Sequence, residues 1–120
     1  YKLHEIVSNQ NKSIYIVEGE KDVHTLRKLG ILATTTGSSD SWRSDLSKYF
    51  KNRNVCIIPD CDDAGERYSS NIQKDIKDIV NKLIVVNLGL EDGQDVTDYV
   101  KALGKDKLFN LIKSTSRGGV

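Results

Sequence analysis

A chain of 120 residues has room for one sheet and its covering helices but not for two independent cores, so one domain is expected. Its 18 Lys and Arg against 17 Asp and Glu leave a formal net charge of +1, which excludes the global basic field that holds a protein on nucleic acid unaided. The longest apolar runs are strand-sized, well short of the roughly 20 residues a bilayer span needs, no signal peptide is visible, and Cys56 and Cys61 fit neither a disulfide framework nor a zinc ribbon, so a reduced, cytoplasmic protein is expected.

Ile14 to Val17 is a run of β-branched and aromatic residues that reads as a strand. A polar Glu-Gly-Glu-Lys-Asp turn follows it, and then Val23, Leu26 and Leu29 fall at helical spacing with Gly30 as the stop. In a second cycle Ile31 to Thr36 reads as a strand, Gly37 to Ser41 as a loop, and Trp42, Leu46, Tyr49 and Phe50 share one helix face. The third cycle runs from an apolar strand, Val55 to Ile58, through an acidic loop, Pro59 to Gly65. Its helix carries Tyr68, Ile72, Ile76 and Ile79. Leu83 to Leu88 reads as a fourth strand, followed by a helix over Val96 to Leu103 and a last short one around Lys107 to Lys113. Residues 1 to 12 are polar and irregular, and 114 to 120 read as a frayed end. Strands alternating with amphipathic helices imply crossovers, and hence an α/β fold with a largely parallel four-stranded sheet covered on both faces.

In such a sheet the loops after the strands gather at one edge, where ligands bind. The acids are placed there: Glu18, Glu20 and Asp22 after the first strand, Asp60, Asp62 and Asp63 after the third, and Glu91, Asp92, Asp95 and Asp98 after the fourth. Two carboxylates about 4 Å apart repel by roughly 4 kcal/mol at an effective dielectric near 20. A hard, oxygen-seeking cation such as Mg²⁺ relieves this, and it typically keeps sites open for water and phosphate oxygens, which points to phosphoryl or nucleotidyl transfer. Alternation along an extended segment puts Asp60 and Asp62 on the same side, able to face one ion, while Cys61 points away.

Val17-Glu18-Gly19-Glu20-Lys21-Asp22 after a strand, with Ile57-Ile58-Pro59-Asp60-Cys61-Asp62-Asp63-Ala64-Gly65 about forty positions later, closely resembles the two signature motifs of the Toprim domain. DnaG-type primases, topoisomerases, OLD-family nucleases and RecR proteins share that domain, and the likeness is greatest to primase-like segments of mobile elements. The resemblance implies a Toprim-like, Rossmann-like sheet with its two motif strands adjacent. It makes Glu18 a general acid or base and Asp60 and Asp62 ligands of Mg²⁺, with Mn²⁺ as the alternative ion. Asp22 is then an acid beside the metal, and Gly89 to Asp95 is similar to the third acidic segment of primases, with Asp95 a further ligand and Asp98 a weaker one. It implies nucleotides and a single-stranded DNA template as partners, and no membrane. The expected unit is a single Toprim domain, 1–120, with its core over about 14–103. A chain without methionine that begins at Tyr1 is expected to be a piece of a longer protein. A noncatalytic RecR-like module and an OLD-type nuclease are the alternative readings.

Other residues carry two readings each. Lys21 is either a surface residue or a point charge for phosphate. Asp63 is either a helix cap or a metal neighbour. Thr35 to Ser39 is either an ordinary loop or a phosphate cradle at a helix N-terminus, which makes Ser38 and Ser39 candidate phosphate ligands. Arg43, Lys48, Lys51 and Arg53 form the one local basic run, read as a solvated face or a nucleic-acid patch, with Arg43 its candidate contact. Trp42 is expected in the core, and Gly65 in the strand-to-helix turn.

Overall fold

The computed structural model describes residues 13–35 and 49–118. Four short strands, β1 (Ile14–Ile16), β2 (Ala33–Thr34), β3 (Asn54–Ile57) and β4 (Lys82–Val85), pair in parallel in the order β2-β1-β3-β4. The helices are α1 (Glu20–Lys28), α2 (Asp63–Ile76), α3 (Val96–Leu103) and α4 (Lys105–Gly118). The expected α/β architecture is the one observed, and the two motif strands β1 and β3 lie side by side. The helix expected through Trp42 and Leu46 lies outside the described residues, as do Ser38, Ser39, Arg43 and Lys48. The second and fourth strands are shorter than their apolar runs suggest, because Thr35, Val86 and Leu88, though buried, lie beyond the ladder.

Period-two alternation divides the strands between two cores. Ile14, Ile16, Val55 and Ile57 face one way, against Phe50 and the α2 residues Tyr68, Ile72 and Ile76. Cys56 and Ile58 face the other way with Val17, against Val23 and Leu26 of α1, Val96 and Tyr99 of α3, and Leu108 and Ile112 of α4. The chain dictates this division. From β1 the crossover through α1 steps to β2 on one side, whereas from β3 the crossover through α2 steps to β4 on the other. Right-handed crossovers in opposite directions lay their helices on opposite faces. Burying each Ile or Leu of these stripes contributes about 1.5–3 kcal/mol, which is what holds the short strands in register.

The reversal of direction also creates a crevice at the carboxyl ends of β1 and β3. Ile16 is in register with Thr34 and Ile57, and Ile57 with Val85, so all four strands end at one level. Two glycines set tight turns, one at each edge of the sheet. Gly30 ends α1 at φ 83°, where its N–H reaches the Arg27 carbonyl at 3.0 Å, a left-handed conformation that glycine adopts without strain. Gly65 serves another purpose: a Cβ there would lie 2.1 Å from the Asp60 carbonyl oxygen, so only glycine lets the first turn of α2 rest on the Asp60 backbone.

Candidate metal centre

The site grows from the ends of β1 and β3. One residue past β2, the buried Thr35 hydroxyl donates to the Glu18 carbonyl at 2.6 Å, and the Tyr68 hydroxyl from α2 donates to the Val17 carbonyl at 3.2 Å. These bonds hold the segment from both sides, and Glu18 Oε2 then accepts the Asp60 N–H at 3.3 Å. The two signature segments therefore meet, as their adjacency in the sheet requires. A third segment is tied in by its backbone, since Cys61 N–H donates to Gln94 at 2.8 Å and Gly93 N–H donates to Cys61 at 2.9 Å. This double link brings Asp95 to the same edge. Cys61 itself packs against the apolar core.

One carboxylate oxygen from each of Asp22, Asp60 and Asp95 lies within 4.8 Å of the others. At that separation two full charges repel by roughly 3–4 kcal/mol at an effective dielectric near 20. The three acids bear the crowding differently. Burial raises the Asp60 carboxyl, and a hydrogen bond and charge repulsion from Glu18 add to it, so that it is pushed up to about 8. Asp22 is raised as well, first by burial; the Thr97 hydroxyl, donating to its Oδ1 at 2.6 Å, offsets part of this. Asp95 moves the other way. Burial disfavours its charge, but the Asp98 N–H at 3.0 Å and the Lys21 ammonium, 3.0 Å from its Oδ2, outweigh that and hold its pKa below the ordinary value. The same contact raises Lys21.

Helix ends account for Asp62, Asp63 and Asp98. Asp95 caps α3 in a reciprocal box, accepting from Asp98 N–H while Asp98 Oδ2 accepts from Asp95 N–H at 3.0 Å. At α2 the cap is Asp62, not Asp63: Asp62 Oδ1 accepts the Gly65 N–H at 2.6 Å, and Asp63 is the first helical residue. The backbone between Asp60 and Asp62 is also not extended, because Asp62 N–H folds back to the Asp60 carbonyl at 2.9 Å. Alternation therefore does not govern this pair, and the two carboxylates serve different neighbours. Sequence reasoning missed Thr97 and Thr25, and it read Thr35 as part of a loop or phosphate cradle, not as the anchor of Glu18. Thr25 and Thr97 share a hydrogen bond of 2.8 Å behind Asp22, a pairing across 72 positions that no local pattern announces.

The donors at this edge are carboxylates and hydroxyls throughout, a hard set that suits Mg²⁺ or Mn²⁺ and not a thiophilic ion. Asp22 and Asp95 are buried and Asp60 is partly open to solvent, so the group has a closed back and an open front. Asp22, Asp60 and Asp95 can hold a divalent metal. Neither curated proteins nor solved structures yield a match. Family comparison does: residues 15–100, from β1 into α3, match the Toprim-like family, the matched span contains Glu18 and all three clustered aspartates, and the chain belongs to that family.

Proposed function

We propose that this chain is the metal-dependent phosphoryl-transfer centre of a primase-like protein, acting on nucleotides along a single-stranded DNA template together with other domains of a longer chain. Toprim domains bind divalent metal and act on nucleic acid. The observation that carries the reading is the convergence of Asp22, Asp60 and Asp95 from three separate segments, with Glu18 against Asp60. Bound there, Mg²⁺ would neutralise charge on the transferring phosphate.

The residues divide the work by their surroundings. Asp60, Asp22 and Asp95 are the proposed ligands, and the buried Asp22 is aimed by Thr97. Glu18 lies beside Asp60 with its backbone anchored by Thr35, in position to take or return a proton at Oε2 as general base or acid. Asp62 is assigned to the α2 cap, which uses its Oδ1; the ligand role read from its spacing is left to the mutants below. Lys21, largely exposed at the end of its contact with Asp95, is the proposed phosphate contact on the described side of the crevice.

Titration with Mg²⁺ and Mn²⁺ is the first test. Binding and a rise in thermal midpoint at millimolar metal are expected, since a ligand taken only by the folded state stabilises it. Absence of both would overturn the proposal. Metal-loaded protein given a single-stranded template and nucleotides should form short products; cleavage of the template instead would establish the nuclease reading. A noncatalytic module is favoured by one feature, the Lys21–Asp95 pair, which already supplies a cation to part of the cluster. Metal-independent DNA binding without turnover would establish it.

A further inference from the structure

Beside the acids, between α2 and β4, lies a cavity of about 320 Å³ that begins at Asp60. Its size falls in the lower part of the range of small-molecule sites, roughly 300–1,000 Å³. Pro59, Val85 and Leu88 give it apolar surface, and Ser69, Ser70, Gln73 and Asn87 give it neutral hydrogen-bonding groups. Its two charged linings are both carboxylates, Asp60 and Glu66, and among the described residues no Lys or Arg lines it. A phosphate chain entering this space would meet negative charge with nothing to balance it. A flat, neutral group bearing donors and acceptors would meet an apolar wall and amide and hydroxyl partners.

Gln73 is prepared for such a contact. Its Nε2 donates to the buried Ser69 hydroxyl at 2.9 Å, which fixes the amide against the wall and uses one of its two N–H groups. Asp60 is common to the cavity and the acid cluster, so a molecule filling one would extend into the other.

We infer that this cavity takes the nucleoside part of a mononucleotide whose phosphates lie at the acid cluster. The inference rests on the metal reading for the phosphates, and on the cavity alone for the base and sugar. Calorimetric titration of the Mn²⁺-loaded chain should show ATP binding at least tenfold more tightly than inorganic tripolyphosphate. Ser70→Trp, at an exposed helix position on the cavity, should bring ATP down to the tripolyphosphate level and leave Mn²⁺ affinity unchanged. Should that variant fold poorly, Gln73→Leu is expected to weaken ATP at least threefold with the same Mn²⁺ affinity. Equal binding of ATP and tripolyphosphate by the parent chain would overturn the inference while leaving the metal centre standing. Adenosine offered to the metal-free chain separates the two ideas completely. At millimolar concentration it should shift the amide resonances of Ser69 to Gln73 and of Asn87, and an unchanged spectrum would end the nucleoside assignment whatever the metal does.

Discussion

The loop after β3 and the turn before α3 each bring an aspartate to the same cluster, yet those aspartates are opposites. Asp60 is pushed up to about 8, whereas Asp95 is held below the ordinary carboxylate value. Burial disfavours the charged form at both residues, so it does not by itself set the difference in sign. Partners do: Asp95 has a backbone N–H on one oxygen and an ammonium on the other, while Asp60 faces Glu18. Charge is thus compensated from within the chain at Asp95 and left to an outside cation at Asp60.

The largest effect expected from this contrast is a divergence between two matched substitutions. Asp60→Asn should weaken Mn²⁺ binding at least 100-fold, about 2.7 kcal/mol, and leave the metal-free protein as stable or more so, because it removes a carboxylate from a repelling group. Asp95→Asn should also weaken the metal, but it should lower the metal-free melting temperature, since Asn can cap α3 yet cannot pair with Lys21. Calorimetry and thermal melts of both variants suffice, and melts that shift in the same direction would break the comparison.

A pH series tests the same difference without mutation. Asp60 and Asp22 bind protons more tightly folded than unfolded, so between pH 4 and 8 the unfolded chain holds fewer protons and metal-free stability falls as pH rises. One fully linked proton gives about 1.4 kcal/mol per pH unit, and the expected slope is a fraction of that because water screens the partly open Asp60. Asp95 acts in the opposite sense, contributing stability above its unfolded value of 3.8 and losing it in acid. Metal must displace the proton on Asp60, so Mn²⁺ affinity should climb with pH and level off near 8. A flat affinity from pH 6 to 9 would deny the raised carboxyl any part in binding.

Asp62→Ala is a smaller perturbation, expected to cost about 1 kcal/mol through the lost cap. Mn²⁺ affinity should stay within threefold of the parent. A loss comparable to that of Asp60→Asn would return Asp62 to the ligand set.

The architecture was legible because it depends on local patterns: alternating strands and amphipathic helices specify which residues are buried, and α3 spans the residues its periodicity gives, Val96–Leu103. The edge on which the acids gather follows from parallel topology alone. What the pattern could not resolve was the division of labour inside the Asp60-Cys61-Asp62-Asp63 segment. A spacing of two shares one side only if the backbone is extended, and here the Asp62 N–H turns back to Asp60 while α2 claims the Asp62 carboxylate. Thr97 was hidden for a different reason, since its role depends on α3 lying beside α1, a tertiary fact. Gly65 was expected in a turn, but its cause is the Asp60 carbonyl beneath it and not an unusual backbone angle.

Lys21 supplies the finest test of how the two aspartates differ. Its ammonium lies 3.0 Å from Asp95 Oδ2, and its side chain is 64% exposed, so it can swing away when a stronger cation arrives. Lys21→Gln removes that competitor, and Mn²⁺ affinity should rise two- to fivefold at low ionic strength. The gain should shrink in 0.5 M salt, where surface charges are screened over a few ångströms. Tripolyphosphate binding to the Mn²⁺-loaded protein should move the other way and weaken, if the ammonium released from Asp95 is what meets the phosphate. A purely structural surface lysine would change neither affinity, and a lysine that only competed with metal would raise the first without lowering the second.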